Sequence, residues 1–100
     1  MGGHYQAMGH AHFISKVLDF GLEPQAAIDL PRLFPIPGTT QIEAEDTFPA
    51  ETIAELRRRG FDIVPSSRPI GGAQAIRLDR VNGTLTGASD PRKDGCALGI

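Results

Sequence analysis

Tryptophan is absent from this chain, and tyrosine and cysteine each occur once, so no internal disulfide can form and no disulfide framework organises the fold. Long apolar runs are missing as well. Nothing approaches the ~20 residues that a membrane helix requires, and no membrane span is expected. An excess of one charge is also lacking: ten Lys and Arg against twelve Asp and Glu leave a formal net charge of -2, with a pI near 5.8. That balance fits neither an acidic disordered tail nor the basic footprint of a nucleic-acid binder. Met1 to Gln6 have neither the basic start nor the apolar run of a secretory signal, and these residues assign no compartment.

What the chain does have is glycine and proline. Twelve Gly and eight Pro in 100 residues, against the roughly 12% of ordinary usage, predict many turns and short elements rather than a bundle of long helices. A chain of this length can bury roughly two thirds of its unfolded surface, which allows one domain with a modest core over residues 1–100. No repeat, low-complexity tract or second domain is visible.

The order of elements follows from the spacing of apolar residues. From Gln6 to Phe20, Ala7, Ala11, Ile14 and Leu18 recur at helical intervals with Met8 and Val17 flanking, which predicts an amphipathic helix stopped by Gly21. Pro24 opens a short helix, Gln25 to Leu30, closed by Pro31. Leu33 to Thr40 reads as irregular connection. Gln41 to Glu45 alternates as a strand. Pro49 then opens a helix in which Ile53 and Leu56 face inward and Gly60 ends the last turn, with Leu56 and Phe61 placed for the contact of a Schellman motif. A strand, Asp62 to Val64, follows. Gln74, Ile76 and Leu78 alternate along one strand, Asn82-Gly83 is a tight-turn pair, and Thr84 to Ala88 returns as the second strand of a hairpin. The sum is α+β, with a mostly antiparallel sheet and covering helices. So small a sheet leaves a face or edge open, which calls for a second copy or for more polypeptide.

Candidate chemistry has to be weighed against plainer roles. Gly2-Gly3 precedes a helix start, where backbone N–H groups without side chains can converge on an anion or a developing oxyanion; taken alone, however, the pair reads as a flexible turn. Gly71-Gly72 leads into a strand and reads as a bulge or turn. His4, His10 and His12 do not make a zinc site, because His10 and His12 lie about 200° apart on a helix and no second ligand cluster completes the set. No metal and no cofactor is expected. Cys96 has no partner carboxylate or histidine at a motif spacing. Ser66-Ser67 and Thr39-Thr40 have no local base and fit loop or capping roles, and Arg57-Arg58-Arg59 fits a solvated helix end. In Ser89-Asp90-Pro91-Arg92-Lys93-Asp94-Gly95, Asp90 and Arg92 are placed to fix the loop by hydrogen bonds to backbone groups.

Three pieces occur in an order that carries more than any of them alone. Met1-Gly2-Gly3-His4-Tyr5-Gln6 precedes the first helix. Asp19-Phe20-Gly21-Leu22 is followed by Ala26-Ala27-Ile28-Asp29-Leu30-Pro31-Arg32. Gly72-Ala73-Gln74-Ala75-Ile76 is followed by Gly87-Ala88-Ser89-Asp90-Pro91-Arg92-Lys93-Asp94-Gly95. Together they resemble, from end to end, the C-terminal part of the small subunit of γ-glutamyltransferases. The resemblance implies part of an N-terminal-nucleophile hydrolase αββα sandwich, made when one precursor cleaves itself into a large and a small subunit. It implies acyl transfer from glutathione or another γ-glutamyl compound by an N-terminal threonine. Of that family's functional positions only the oxyanion-hole diglycine maps here, onto Gly2 and Gly3. The family's Thr-Thr-His nucleophile motif and Ser-Ser substrate pair lie upstream of this region: Thr39-Thr40 runs into Gln41-Ile42, and Ser66-Ser67 follows the diglycine rather than preceding it. The chain alone is therefore expected to be inactive, with the remainder of the small subunit and the large subunit as partners. The alternative is a non-catalytic remnant that self-associates or binds a partner. Neither reading involves nucleic acid or membrane, and the family occurs in periplasmic, secreted and cytoplasmic forms.

Overall fold

The computed structural model describes residues 3–100. Three α-helices and five strands follow a short 3-10 turn at Gly3–Tyr5: α1 Gln6–Leu18, α2 Pro24–Asp29, β1 Leu33–Pro35, β2 Gln41–Ala44, α3 Ala50–Arg58, β3 Asp62–Pro65, β4 Gln74–Asp79 and β5 Thr84–Ser89. They gather into two compact units, one of residues 1–30 with 71–100 and one of Pro31–Ile70.

In the Pro31–Ile70 unit the strands lie in the order β1-β2-β3. β1 pairs antiparallel with β2, Phe34 opposite Glu43, and β2 pairs parallel with β3, Ile42 opposite Ile63. Parallel neighbours need a crossover, and α3 supplies it. Ile42, Ala44 and Ile63 form the buried centre, with Leu33, Phe48, Ile53 and Leu56 packed against it. The inward placing of Ile53 and Leu56 agrees with the helical spacing.

The end of α3 is a Schellman motif. The Phe61 N–H donates to the Leu56 carbonyl at 3.2 Å, the Gly60 N–H donates to the Arg57 carbonyl at 3.0 Å, and Gly60 takes the required left-handed conformation, φ +97°. Arg57 is more than a solvated end, since its guanidinium reaches the Ile63 carbonyl at 3.1 Å. Arg58 and Arg59 pair with Glu55 on the exposed surface.

Strand β1 corrects the expectation of irregular chain over Leu33 to Thr40. The prolines there do not prevent pairing, because β1 is a three-residue edge strand and edge positions tolerate a missing N–H. Thr39 lies in the β1–β2 connection and serves it: its hydroxyl donates to the Ile36 carbonyl at 2.9 Å and accepts from the Gln41 N–H at 3.0 Å.

In the other unit β4 and β5 form an antiparallel hairpin, with Gln74 opposite Ser89 and Asp79 opposite Thr84. The expected two-residue turn at Asn82-Gly83 is instead a loop of four residues, Arg80 to Gly83, between the strand ends. The Asp79 carboxylate accepts from the Val81 and Asn82 N–H groups and from the Asn82 side-chain amide, at 3.0, 3.1 and 2.8 Å. This Asx arrangement competes with the tight turn, and Gly83 at φ +65° closes the loop.

Helix α1 corrects a second expectation. Ala7, Ala11, Ile14 and Leu18, the apolar stripe, are exposed, while Met8, His12, Phe13 and Val17 are half-buried. The buried residues of this unit are Tyr5, Pro24, Ala27, Ile28, Ala88 and Asp90, so its covered surface centres on α2 and one side of the hairpin.

Candidate functional site

Of the two glycines expected to form an oxyanion hole, Gly2 lies outside the described residues. Gly3 opens the 3-10 turn at φ +46°, a backbone region that favours residues without a Cβ. The space a Cβ would occupy holds nothing within 4 Å, so that side of the backbone is open to close approach. Tyr5, two residues on, is buried. Its ring lies against the first turns of α1: a Cβ built on Gly9 would come within 2.9 Å of Tyr5 Cε1 and 3.2 Å of Cδ1. Gly9 thus gives the ring its seat, and the seated ring fixes the turn that begins at Gly3. The turn runs directly into the thirteen-residue α1, whose N-terminal end carries partial positive charge.

The Ser89-Asp90-Pro91-Arg92 segment is a buried clasp. Asp90, whose side chain is fully buried, accepts from the Ala73 N–H at 2.8 Å through Oδ2 and from the Arg92 N–H at 2.9 Å through Oδ1. Its own N–H donates to the Ala73 carbonyl at 3.1 Å. The Arg92 guanidinium lies 3.1 Å from Asp90 Oδ1 and donates to the Ile28 and Leu30 carbonyls, both at 2.9 Å. Those carbonyls belong to the end of α2, where helical acceptors lack partners. Gln25 adds a second tie, its amide donating to the Ser89 carbonyl at 2.9 Å and accepting from the Ser89 N–H at 3.0 Å, much as a neighbouring strand would. The backbone bonding expected of Asp90 and Arg92 is what the structure shows.

A second clasp closes the Pro31–Ile70 unit, and sequence reasoning missed it. Glu45 accepts from the Arg32 N–H at 2.9 Å and the Ile70 N–H at 3.0 Å, and buried Arg32 donates from its guanidinium to the Ile70 carbonyl at 2.9 Å. Residues 13 and 25 positions apart carry no motif that announces such a junction.

The remaining candidates stay apart. His4 and His10 are exposed and His12 is half-buried on α1. Among the described residues no group of three His, Cys, Asp or Glu is placed to hold a metal ion. Cys96 is exposed. No described helix is long and apolar enough to cross a membrane.

Helices with antiparallel-rich sheets in this order make an α+β fold, that of the corresponding part of the N-terminal-nucleophile hydrolases. A solved cephalosporin acylase from Bacillus halodurans superposes with a TM-score of 0.83 at 39% identity, over 88% of this chain and 17% of that one. The chain belongs to the gamma-glutamyltranspeptidase family, whose model matches residues 1–100. It is 36% identical over 108 residues to the glutathione hydrolase-like YwrD proenzyme of Bacillus subtilis (strain 168), covering 99% of this chain and 20% of that protein. It is 32% identical over 99 residues to the glutathione hydrolase proenzyme of the same strain, covering 92% of this chain and 17% of that protein. The chain therefore spans a fifth or less of the length of these curated relatives.

Proposed function

We propose that this chain is the C-terminal portion of the small subunit of an amide-cleaving acyltransferase or hydrolase of the gamma-glutamyltranspeptidase family, and that Gly2 and Gly3 supply the oxyanion hole. The observation that carries the proposal is the Gly3 turn: a positive φ, an open side and a buried Tyr5 anchor at the start of a helix. In the reaction a threonine hydroxyl, supplied by the rest of the enzyme, adds to the amide carbonyl of a γ-glutamyl compound such as glutathione. The carbonyl oxygen becomes an oxyanion that backbone N–H groups at Gly2-Gly3 hold. Collapse expels the amine, and water or an amino acid then takes the acyl group from the threonine. Donors fixed before the reaction need no reorganisation as charge develops. A side chain at position 3 would both strain the turn and fill the approach.

Partners in this reading are the remainder of the small subunit and the large subunit. Relatives named as a glutathione hydrolase and as a cephalosporin acylase share this region, so selection of the acyl group is assigned to residues outside these hundred.

The test is hydrolysis of γ-glutamyl-p-nitroanilide. The purified chain is expected to give none. Replacing the matched region of the B. subtilis glutathione hydrolase proenzyme with this chain should give an active enzyme, in which Gly3→Val lowers kcat about 100- to 1,000-fold. Turnover by the isolated chain would overturn the dependence on a partner, and undiminished kcat in the Gly3→Val enzyme would overturn the oxyanion assignment.

A further inference from the structure

Asn82 is the sole asparagine of the chain, and the residue after it is Gly83. That pairing carries its own chemistry. The Gly83 backbone nitrogen can attack the Asn82 side-chain carbonyl carbon, Cγ, to close a five-membered succinimide ring: the Gly83 N–H proton passes to solvent base and the side-chain nitrogen leaves as ammonia. Water then opens the ring at either carbonyl. Attack at the side-chain carbonyl gives aspartate, and attack at the main-chain carbonyl leaves Gly83 bonded to Cγ, which is isoaspartate. One water is consumed and one ammonia released, with no oxidant or cofactor. Glycine in second place matters because a Cβ there would hinder the approach of its backbone to Cγ.

Both residues are exposed in the loop between β4 and β5, and nothing lies within 4 Å of the place a Gly83 Cβ would take. That flank of the nucleophile is therefore open. What the loop withholds is the other reactant. Asn82 Nδ2 donates to Asp79 Oδ2 at 2.8 Å, while the Asn82 and Val81 N–H groups donate to Asp79 Oδ1 at 3.1 and 3.0 Å. One carboxylate thus grips the Asn82 side chain and its peptide N–H together, and ties the side chain to residue 79, on the opposite side in sequence from the Gly83 nitrogen. Expulsion of ammonia has to release the bond to Oδ2, since the departing nitrogen is the one it holds. A hydrogen bond from Nδ2 to a negative acceptor also pushes electron density into the amide, which makes Cγ a poorer electrophile.

We infer that Asn82 is a site of spontaneous deamidation, that the Asp79 carboxylate restrains its rate in the folded chain, and that conversion dismantles the loop that restrained it. The last step follows from the same distances. Conversion puts a carboxylate oxygen in place of the Nδ2 donor that stood 2.8 Å from Asp79 Oδ2, so two negative groups meet where a hydrogen bond was, and like charges at such range disfavour each other's ionised form. Isoaspartate in addition lengthens the backbone by a methylene inside a loop of four residues. The site is thus slow while the loop is intact and cannot re-form its bonds afterwards, which makes the hairpin tip an irreversible record of the age of the chain. The inference concerns this tip alone and does not depend on the proposed acyl transfer.

The test incubates the whole chain at mildly alkaline pH and follows Asn82 by peptide mass spectrometry, with isoaspartate separated from aspartate by chromatography. The folded wild-type chain should convert slowly at Asn82. Asp79→Ala should convert about 2- to 10-fold faster, the range set by loss of one hydrogen bond of ordinary net worth. Asp79→Asn keeps an acceptor of the same size without the charge and should fall between the two. In concentrated urea all three should convert at one common rate, faster than the folded wild type, because the protection belongs to the loop. Equal rates in the three folded chains would overturn the restraint, and a slower Asp79→Ala would overturn it by showing the carboxylate at work as a base. Conversion in urea with none in any folded chain would overturn the site. If Asp79→Ala loses the hairpin, seen as lost amide protection at Leu78 and Leu85, the comparison of Asp79→Asn with wild type decides. Asn82→Asp stands for the aspartate product: its Asp79 should titrate at higher pH than in wild type, and an unchanged midpoint would overturn the dismantling of the loop.

Discussion

In the Pro31–Ile70 unit the alternating residues of β2 and β3 turn Ile42, Ala44 and Ile63 into a centre that Leu33, Phe48, Ile53 and Leu56 close, while in the other unit Ile14, Leu18, Ile76, Leu78 and Leu85 lie open. Both units use a carboxylate to gather distant backbone, Glu45 in the first and Asp90 in the second. They differ in what their apolar residues do. The β1-β2-β3 unit has a helix crossing on its sheet and covers its own core. The hairpin unit has only two strands, which are marginal without further packing, and it carries two apolar surfaces, the stripe of α1 and one hairpin face. Apolar residues at regular spacing on an element that does not bury them mark surfaces whose cover is another piece of polypeptide. The Gly3 turn lies in this second, dependent unit. The unit that bears the proposed chemistry is thus the one least complete by itself.

The difference between the clasps gives the largest expected effect. Removing Asp90 leaves the Arg92 guanidinium without its carboxylate and the Ala73 N–H without an acceptor. Because this pair is buried, Asp90→Ala should destabilise its unit by about 3–5 kcal/mol, enough to unfold it in the isolated chain. Glu45 is only half-buried, and Glu45→Ala should cost about 1–3 kcal/mol, with opening confined to residues 31–70. Urea denaturation followed by hydrogen exchange in each segment reads both. A larger loss for Glu45→Ala would reverse the ranking of the clasps.

Core truncation should separate the units next. Ile63→Ala removes a buried side chain from a closed centre and should cost about 2–5 kcal/mol. Leu85→Ala, at an exposed position, should change the stability of the isolated chain by less than about 0.5 kcal/mol. Comparable losses would mean that the open face is covered in the isolated chain in solution, and the contrast between a closed unit and a dependent one would fail.

Most of the elements were legible because their signals are local. Pro49, the Ile53–Leu56 spacing and Gly60 define α3 within a few residues, and the Schellman bonds follow from the same glycine. What failed depends on partners distant in sequence. Leu33–Pro35 is a strand because β2 lies beside it, a fact that Pro35 and the following Pro37 conceal. The parallel β2–β3 pair was not read from the sequence, because three- and four-residue strands give too little alternation to fix direction. The α1 stripe was legible as apolar and misleading as to burial, because periodicity identifies a face and not what covers it. At the candidate site, Gly3 and the Asp90–Arg92 clasp could be named from local motifs, whereas the Tyr5–Gly9 seat and the Arg32–Glu45–Ile70 junction exist only in three dimensions.

The smallest expected effect lies at the tip of the hairpin and tests whether that end is self-sufficient while its face is not. Asp79 is held below the ordinary carboxyl value of 3.8, first by the Asn82 side-chain amide, then by the Asn82 backbone N–H, with further lowering from the Val81 N–H and the charge of Arg77. A carboxyl whose folded value is depressed favours folding most fully above its unfolded value, near 3.8, and that contribution is lost as pH falls through the lower folded value. The loop should accordingly keep its Asp79–Asn82 bonds through neutral and mildly acidic pH and release them only below the ordinary carboxyl range. An NMR titration of the Asp79 carboxyl and the Asn82 amides should show one shared midpoint below 3.8. Asn82→Ala should move that midpoint back toward the ordinary value, because it removes the largest cause of the shift, and it should leave the melting temperature nearly unchanged, because the group is at the surface. An unmoved midpoint in Asn82→Ala would show that the four-residue loop is held by something other than its own Asx bonds, and the hairpin tip would then join its face as a surface that waits for a partner.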